Sequence, residues 1–76
     1  MYEKEIKNIT KNIKDKRIEL GYSQKHLADR LNISQNMYSK IELNKTQITA
    51  CKFLMICDLL EIKAADLLNE IQKELI

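Results

Sequence analysis

The chain has 76 residues and a formal net charge of +2, so it is close to the smallest size at which one hydrophobic core folds without disulfides or metals. No apolar run approaches the length of a membrane span, and the lysine-rich first residues lack the apolar core of a signal peptide. We therefore expect one cytoplasmic domain that covers residues 1–76 and does not enter a membrane.

Charge is divided unevenly along the sequence. Residues 1–46 carry ten Lys and Arg against six Asp and Glu, whereas residues 47–76 carry three against five. This asymmetry suits a domain that turns its N-terminal half toward an anion. Lysines that merely solvate the first helix would give the same pattern, so charge alone does not decide between the two interpretations.

The two cysteines predict neither a disulfide nor a metal site. Cys51 and Cys57 lie six positions apart in a predicted helix, where they point to different sides and cannot bridge. Because the chain has one histidine and no second cysteine pair, we expect free thiols, no zinc and no cofactor.

The first predicted helix runs from Tyr2 to Leu20, where apolar positions recur every three or four residues. Its predicted buried stripe consists of Ile6, Ile9, Ile13, the stem of Arg17, and Leu20. Gly21 ends this helix because glycine readily takes the left-handed conformation of a C-cap. Tyr22 is then expected to enter the core.

Two short helices joined by a tight turn follow, at about Gln24–Leu31 and Gln35–Leu43. Ser23 and Ser34 stand just before them, where a hydroxyl can accept a hydrogen bond from an unpaired backbone N–H. Asn32 tolerates a positive φ, so the break between the helices is predicted to be a left-handed turn. The predicted buried positions are Leu27, Ala28, Leu31, Ile33, Tyr38 and Ile41.

The remaining chain predicts two more helices and no strands. Asn44 suits a left-handed C-cap, and Thr49 suits the N-cap of a fourth helix at about Ala50–Leu60. The last helix is expected at about Ala64–Leu75. The fourth helix has an inward stripe of Phe53, Ile56, Cys57 and Leu60, and the last helix carries Leu67, Leu68, Ile71 and Leu75 along one side. The fold class is therefore all-α.

This arrangement resembles the helix-turn-helix domain of the lambda-repressor and Cro family of bacterial and phage regulators, also called the XRE family. The likeness runs from about Ile9 to Leu68. The segments that carry it are Arg17, Gly21-Tyr22-Ser23-Gln24, Tyr38-Ser39-Lys40-Ile41-Glu42 and Asn44-Lys45-Thr46. The resemblance implies a compact five-helix domain that binds double-stranded DNA, although Glu61 stands where the family commonly has glycine.

Base readout is implied for the second helix of this motif, which in the family enters the major groove with its N-terminal residues against base edges. Its exposed face is polar and nearly uncharged. A face that only contacts solvent would usually carry Glu and Lys pairs, whereas this one offers amide and hydroxyl groups, which suit base edges. The implied readers are Gln35, Asn36, Ser39 and Lys40, with Met37 placed to meet a thymine methyl group.

Phosphate contacts are expected on both sides of that helix. Gln24 stands at the positive end of the preceding helix, and Lys45 and Thr46 follow the reading helix. More diffuse attraction is expected from Lys11, Lys14, Lys25 and Arg30. The resemblance also implies a partly buried structural salt bridge between Arg17 and Glu42.

The last two helices carry more apolar residues than one inward face can use. The surplus residues are Leu54, Met55, Leu59, Ile71 and Leu75. Exposed apolar surface on so small a domain indicates a partner. Related regulators pair through these helices into symmetric dimers, which places two reading helices about 34 Å apart on a near-palindromic site.

Two hypotheses from different classes follow. The first is a homodimeric regulator of transcription, a repressor or autoregulator similar to restriction-modification controller proteins or stand-alone phage-type repressors. The second is a protein-interaction module, such as an antitoxin whose C-terminal apolar helices bind a toxin. We do not expect an enzyme or a small-molecule ligand, because the sequence has no carboxylate pair, nucleophile constellation or glycine-rich phosphate loop.

Overall fold

The structure, a computed structural model, describes residues 3–67, and all regular secondary structure within them is helical. The helices are α1 (Glu3–Glu19), α2 (Gln24–Leu31), α3 (Gln35–Glu42) and α4 (Ala50–Leu59). Helical residues resume at 64–67, where the predicted fifth helix begins, and the rest of that helix lies outside the described residues. The all-α prediction is confirmed. No helix in this part of the chain is long and apolar enough to cross a bilayer.

Three of the helices begin at side-chain N-caps. The hydroxyls of Ser23, Ser34 and Thr49 each accept a hydrogen bond from the backbone N–H three residues later, at 3.0, 3.0 and 3.2 Å. Each bond satisfies one of the N–H groups that a helix start leaves unpaired, and such a cap contributes about 1 kcal/mol. The three caps predicted from sequence are confirmed.

The chain leaves each helix through a residue in the left-handed conformation. These residues are Gly21, Asn32, Asn44 and Glu61, with φ of 77°, 58°, 57° and 58°. At each end the next N–H bonds to the carbonyl five positions earlier, at 2.8 to 3.0 Å, which is the Schellman arrangement. Glycine and asparagine take this conformation readily, whereas Glu61 does so at a steric cost of about 1–2 kcal/mol.

The hydrophobic core lies where the helices meet. α2 packs against both α3 and α4, and α1 packs against α3. The buried hydrophobic residues are Ile9, Ile13, Leu27, Ala28, Leu31, Tyr38, Ile41, Ile56, Cys57, Leu60 and Leu67. Full burial of a large aliphatic side chain contributes about 1.5–3 kcal/mol, so this cluster fixes the mutual directions of α2 and α3.

Three side chains of the N-terminal half differ from the sequence prediction. Ile6, predicted in the buried stripe of α1, is 41% exposed, and Tyr22 is 37% exposed instead of buried. The Tyr22 backbone carbonyl accepts a hydrogen bond from Arg17 Nη1 at 2.8 Å, and its ring lies 4.8 Å from that of His26. Thr10, which no apolar pattern marks, is buried, and its hydroxyl is satisfied there because it donates to a carbonyl three residues earlier at 3.1 Å.

Candidate nucleic-acid interface

The turn between α2 and α3 is fixed by backbone hydrogen bonds. Asn32 donates its N–H to the carbonyls of Ala28 and Asp29. The N–H of Ile33 reaches the Ala28 carbonyl at 3.0 Å, and the Ile33 side chain packs against the core. Because the turn is anchored at both its backbone and a side chain, α3 has a fixed direction relative to α2.

A lysine from α4 adds a further contact to this turn. Nζ of Lys52 donates to the carbonyl of Leu31, the last residue of α2, at 2.7 Å. A helix end leaves its last carbonyls unpaired, and a cation suits the negative end of the helix dipole. The two residues lie 21 positions apart, so no local sequence signal could have found this bond.

The predicted base-reading residues lie together on the N-terminal half of α3. Gln35, Asn36, Met37 and Lys40 are exposed, and Ser39 is half-buried. Positions three and four residues apart lie on the same face of a helix, so Gln35 lies above Ser39 and Asn36 above Lys40 in two adjacent rows. Within residues 3–67 none of these side chains hydrogen-bonds to another residue. Their amides, hydroxyl and ammonium groups are therefore available to a ligand outside the protein.

The predicted phosphate-binding residues differ in their surroundings. Gln24 is half-buried, and its Nε2 donates to Oε1 of Glu42 at 3.1 Å. Lys25 is exposed and pairs with Asp29 at 3.0 Å, which partly offsets its charge. The other three members of the set are Arg30 and Lys45, both exposed, and Thr46, which is half-buried.

Arg17 and Glu42 form a buried ion pair between α1 and the end of α3. Arg17 donates from Nε to Oε2 at 2.6 Å and from Nη2 to Oε1 at 3.1 Å. The side chains are only 10% and 2% exposed. Burial is the largest single influence and raises the pKa of Glu42. The hydrogen bonds from Arg17, the further contributions of Tyr38 and Gln24, and the charge of Arg17 together outweigh burial and hold this pKa below its usual range. Glu42 is therefore ionised at neutral pH.

Tyr38 lies beside this ion pair in the core. Its hydroxyl is buried and makes no hydrogen bond within the described part of the chain. Burial, followed by the neighbouring Glu42 carboxylate, raises the pKa of Tyr38 far above its usual range. The tyrosine is therefore a neutral packing residue of the scaffold that carries α3.

Residues 13–67 match a family model described as Helix-turn-helix. This segment includes α2, the turn, α3 and α4. The chain belongs to the XRE-type helix-turn-helix family. That family consists of DNA-binding regulators of transcription, and this helix-turn-helix protein is a DNA-binding regulator in that general sense. No curated protein and no solved structure matched the chain.

The helix-turn-helix protein exposes apolar side chains on α4. Leu54 is 57% exposed and Met55 is 36% exposed. Leu59, also predicted to lie at an interface, is half-buried and packs against the core, so it offers less surface than Leu54. Ile71 and Leu75 lie outside the described residues. Of the residues predicted to lie at an interface, Leu54 and Met55 are thus the exposed ones within residues 3–67.

Proposed function

We propose that this protein is a homodimeric, sequence-specific repressor or autoregulator that acts in the cytoplasm by occupying promoter DNA. In this proposal residues 1–76 form one domain that both binds DNA and dimerises. The observation that carries it is the exposed face of α3, whose polar side chains have no partner in residues 3–67. A buried scaffold that presents unpaired amides on one rigid helix is suited to direct readout of base edges.

In the proposed complex the N-terminal half of α3 enters the major groove. Gln35 and Asn36 each carry an amide that can bind N6 and N7 of adenine in bidentate fashion, and Lys40 can donate to guanine O6 or N7. Ser39 and Met37 add a hydroxyl and an apolar contact. A good bidentate contact discriminates against a wrong base by about 1–3 kcal/mol, so Gln35 is the residue that we expect to dominate specificity.

Phosphate contacts flank α3 in the proposed complex. Gln24 at the start of α2 lies on one side, and Lys45 and Thr46 after α3 lie on the other. The exposed cations Lys25 and Arg30 supply charge. Such contacts fix the register of the protein on the duplex and make binding dependent on salt, without reading sequence.

Dimerisation is proposed to use the apolar surface of α4. A two-fold axis beside α4 would repeat the α3 face in the partner, and a spacing of about 34 Å between two reading helices matches one DNA turn.

Leu54→Glu is expected to give monomers with weakened operator binding. Ile18→Glu on α1 is the matched control, since Ile18 and Leu54 are both 57% exposed. A Leu54→Glu protein that remains dimeric would refute this interface.

Selection of bound duplexes from a random DNA pool, repeated at two salt concentrations, tests the proposed function. We expect enrichment of a two-fold-symmetric site with half-sites one turn apart. An enriched site without symmetry would refute the homodimer.

The exposed apolar surface of α4 also fits an antitoxin that binds a foreign chain. In the same selection, a folded protein that enriches no sequence would favour that alternative.

A further inference from the structure

The side chain of Gln24 is held by a second helix although it lies at the surface end of α2. Its Nε2 donates to Oε1 of Glu42 at 3.1 Å, across 18 positions of sequence. The backbone N–H groups of His26 and Leu27 are bonded to Ser23. The first N–H groups of a helix, including that of Gln24, have no intrahelical partner. Gln24 therefore stands beside free donors that favour an anion.

The carboxylate that holds Gln24 is itself held by α1. Arg17 donates to both oxygens of Glu42, at 2.6 and 3.1 Å, and a third donor of the same guanidinium bonds to the Tyr22 carbonyl at 2.8 Å. The guanidinium is planar and its donors have a fixed geometry. The Glu42 carboxylate is therefore fixed in place by three bonds to the structure, one of them from Gln24.

An ionised carboxylate can only accept hydrogen bonds. The amide of Gln24 must therefore turn its nitrogen toward Glu42, and flipping the amide would bring two oxygens together. Since an amide nitrogen carries two N–H groups, one N–H of Gln24 is used by Glu42 and the other is left for a ligand.

We propose that Glu42, fixed by Arg17, is a positioning residue that orients the Gln24 amide so that its second N–H meets a DNA phosphate oxygen at the start of α2. The inference rests on the proposed function, since it needs DNA as the ligand. It gives the buried ion pair a role in DNA affinity in addition to its role in the fold.

Net charge alone predicts a different result for this site. Glu42 is an anion close to a polyanionic ligand, so removing its charge should strengthen DNA binding if only long-range electrostatics mattered. Positioning predicts weaker binding.

Replacing both partners, as Arg17→Met with Glu42→Met, leaves the net charge unchanged and removes the acceptor for Gln24. Such paired apolar replacement of a buried ion pair is often tolerated by the fold.

A double-mutant cycle in DNA affinity tests the proposal. Four proteins are compared: the unaltered chain, Gln24→Ala, the paired methionine variant, and the combination of all three substitutions. The probe is a short random-sequence duplex at low salt, because phosphate contacts do not depend on base sequence. Lys16→Met with Glu19→Met is the matched control, since it removes an ion pair of α1 whose Glu19 carboxylate is 68% exposed. Circular dichroism verifies that each protein is folded at the temperature used.

We expect Gln24→Ala to weaken binding roughly tenfold, as expected for a hydrogen bond to a charged group. The paired methionine variant should lose a similar factor, and the combined variant should lose no more than either. The Lys16 and Glu19 control should bind like the unaltered chain.

Two results from the paired variant would overturn the proposal and leave the proposed function intact. The paired variant could bind as tightly as the unaltered chain. Alternatively, its loss could multiply with that of Gln24→Ala, which would mean that Arg17 or Glu42 acts on DNA by another route. Failure of the unaltered chain to bind any duplex would refute the proposed function itself. If the paired variant does not fold, Gln24→Asn serves instead. Its shorter side chain cannot reach Glu42, and unchanged affinity would contradict positioning.

Discussion

α2 and α3 begin with the same two residues in the same local structure. Ser23 and Ser34 are both extended N-caps, with φ and ψ of −81° and 162° in one and −72° and 155° in the other. Each hydroxyl accepts its hydrogen bond at 3.0 Å. Gln24 and Gln35, which follow them, nevertheless differ: Gln24 is half-buried and bonded to Glu42, whereas Gln35 is exposed and has no partner within residues 3–67.

This difference separates what local sequence determines from what the fold determines. A serine before a helical stretch starts each helix in the same way, because the cap needs only the adjacent backbone. The first side chain of each helix depends instead on which neighbour covers it. The Glu42 carboxylate lies within reach of Gln24 on α2, whereas no side chain among residues 3–67 hydrogen-bonds to the amide of Gln35 on α3. The same amide is therefore bonded to Glu42 in one helix and has no partner within residues 3–67 in the other. We propose that the first contacts a DNA phosphate and that the second reads a base.

The largest expected effect on stability comes from breaking the Arg17–Glu42 ion pair, whose carboxylate bonds to Gln24 and not to Gln35. Glu42→Ala leaves the buried Arg17 guanidinium without its carboxylate and should lower the free energy of unfolding by about 3–5 kcal/mol. Urea denaturation monitored by circular dichroism measures this loss.

The paired replacement Arg17→Met with Glu42→Met is the control for that measurement. It removes both charges together, so its loss of stability should be far smaller than that of Glu42→Ala. Equal losses in the two variants would show that the cost comes from packing and not from an unpaired charge.

Acid should act on the same pair. Because the pKa of Glu42 in the folded protein lies below its ordinary value of 4.5, ionised Glu42 stabilises the fold above that value, and this contribution is lost as the pH falls through the folded pKa. Unfolding measured from pH 6 downward should therefore show a steeper loss of stability in the unaltered chain than in the paired methionine variant. Parallel curves would contradict the depressed pKa.

A smaller effect is expected from the two serine caps. Ser23→Ala and Ser34→Ala should each cost about 1 kcal/mol of unfolding free energy, and the two losses should agree because the caps have the same geometry. Thermal unfolding of both variants provides the comparison. A clear inequality would mean that the starts of α2 and α3 are not locally equivalent, and would weaken the contrast between Gln24 and Gln35.

Much of the fold is predictable from sequence because its signals are local. The serine and threonine caps and the left-handed residues Gly21, Asn32 and Asn44 each depend on a few neighbouring backbone groups, so helix bounds follow within one residue. The polar face of α3 is also predictable from sequence, because helical periodicity determines which side chains lie on the same face.

Contacts between distant segments were not predictable in the same way. The bond from Lys52 to the Leu31 carbonyl spans 21 positions and that from Gln24 to Glu42 spans 18. The hydrogen bond from α1 to the Tyr22 backbone carbonyl likewise has no signal in the tyrosine side chain. These features follow from how the helices pack. A sequence pattern predicts which face of a helix is buried, but it does not predict which residues of other helices that face contacts.

The central claim is that Gln35 reads a base and Gln24 does not. Selection from a random DNA pool with Gln35→Ala should give a site whose base preference is relaxed at one position in each half-site, with stability within about 0.5 kcal/mol of the unaltered chain. Gln47→Ala, which alters an exposed glutamine outside α3, is the matched control and should retain the full site. A Gln35→Ala protein that selects the unaltered site at every position would contradict the claim.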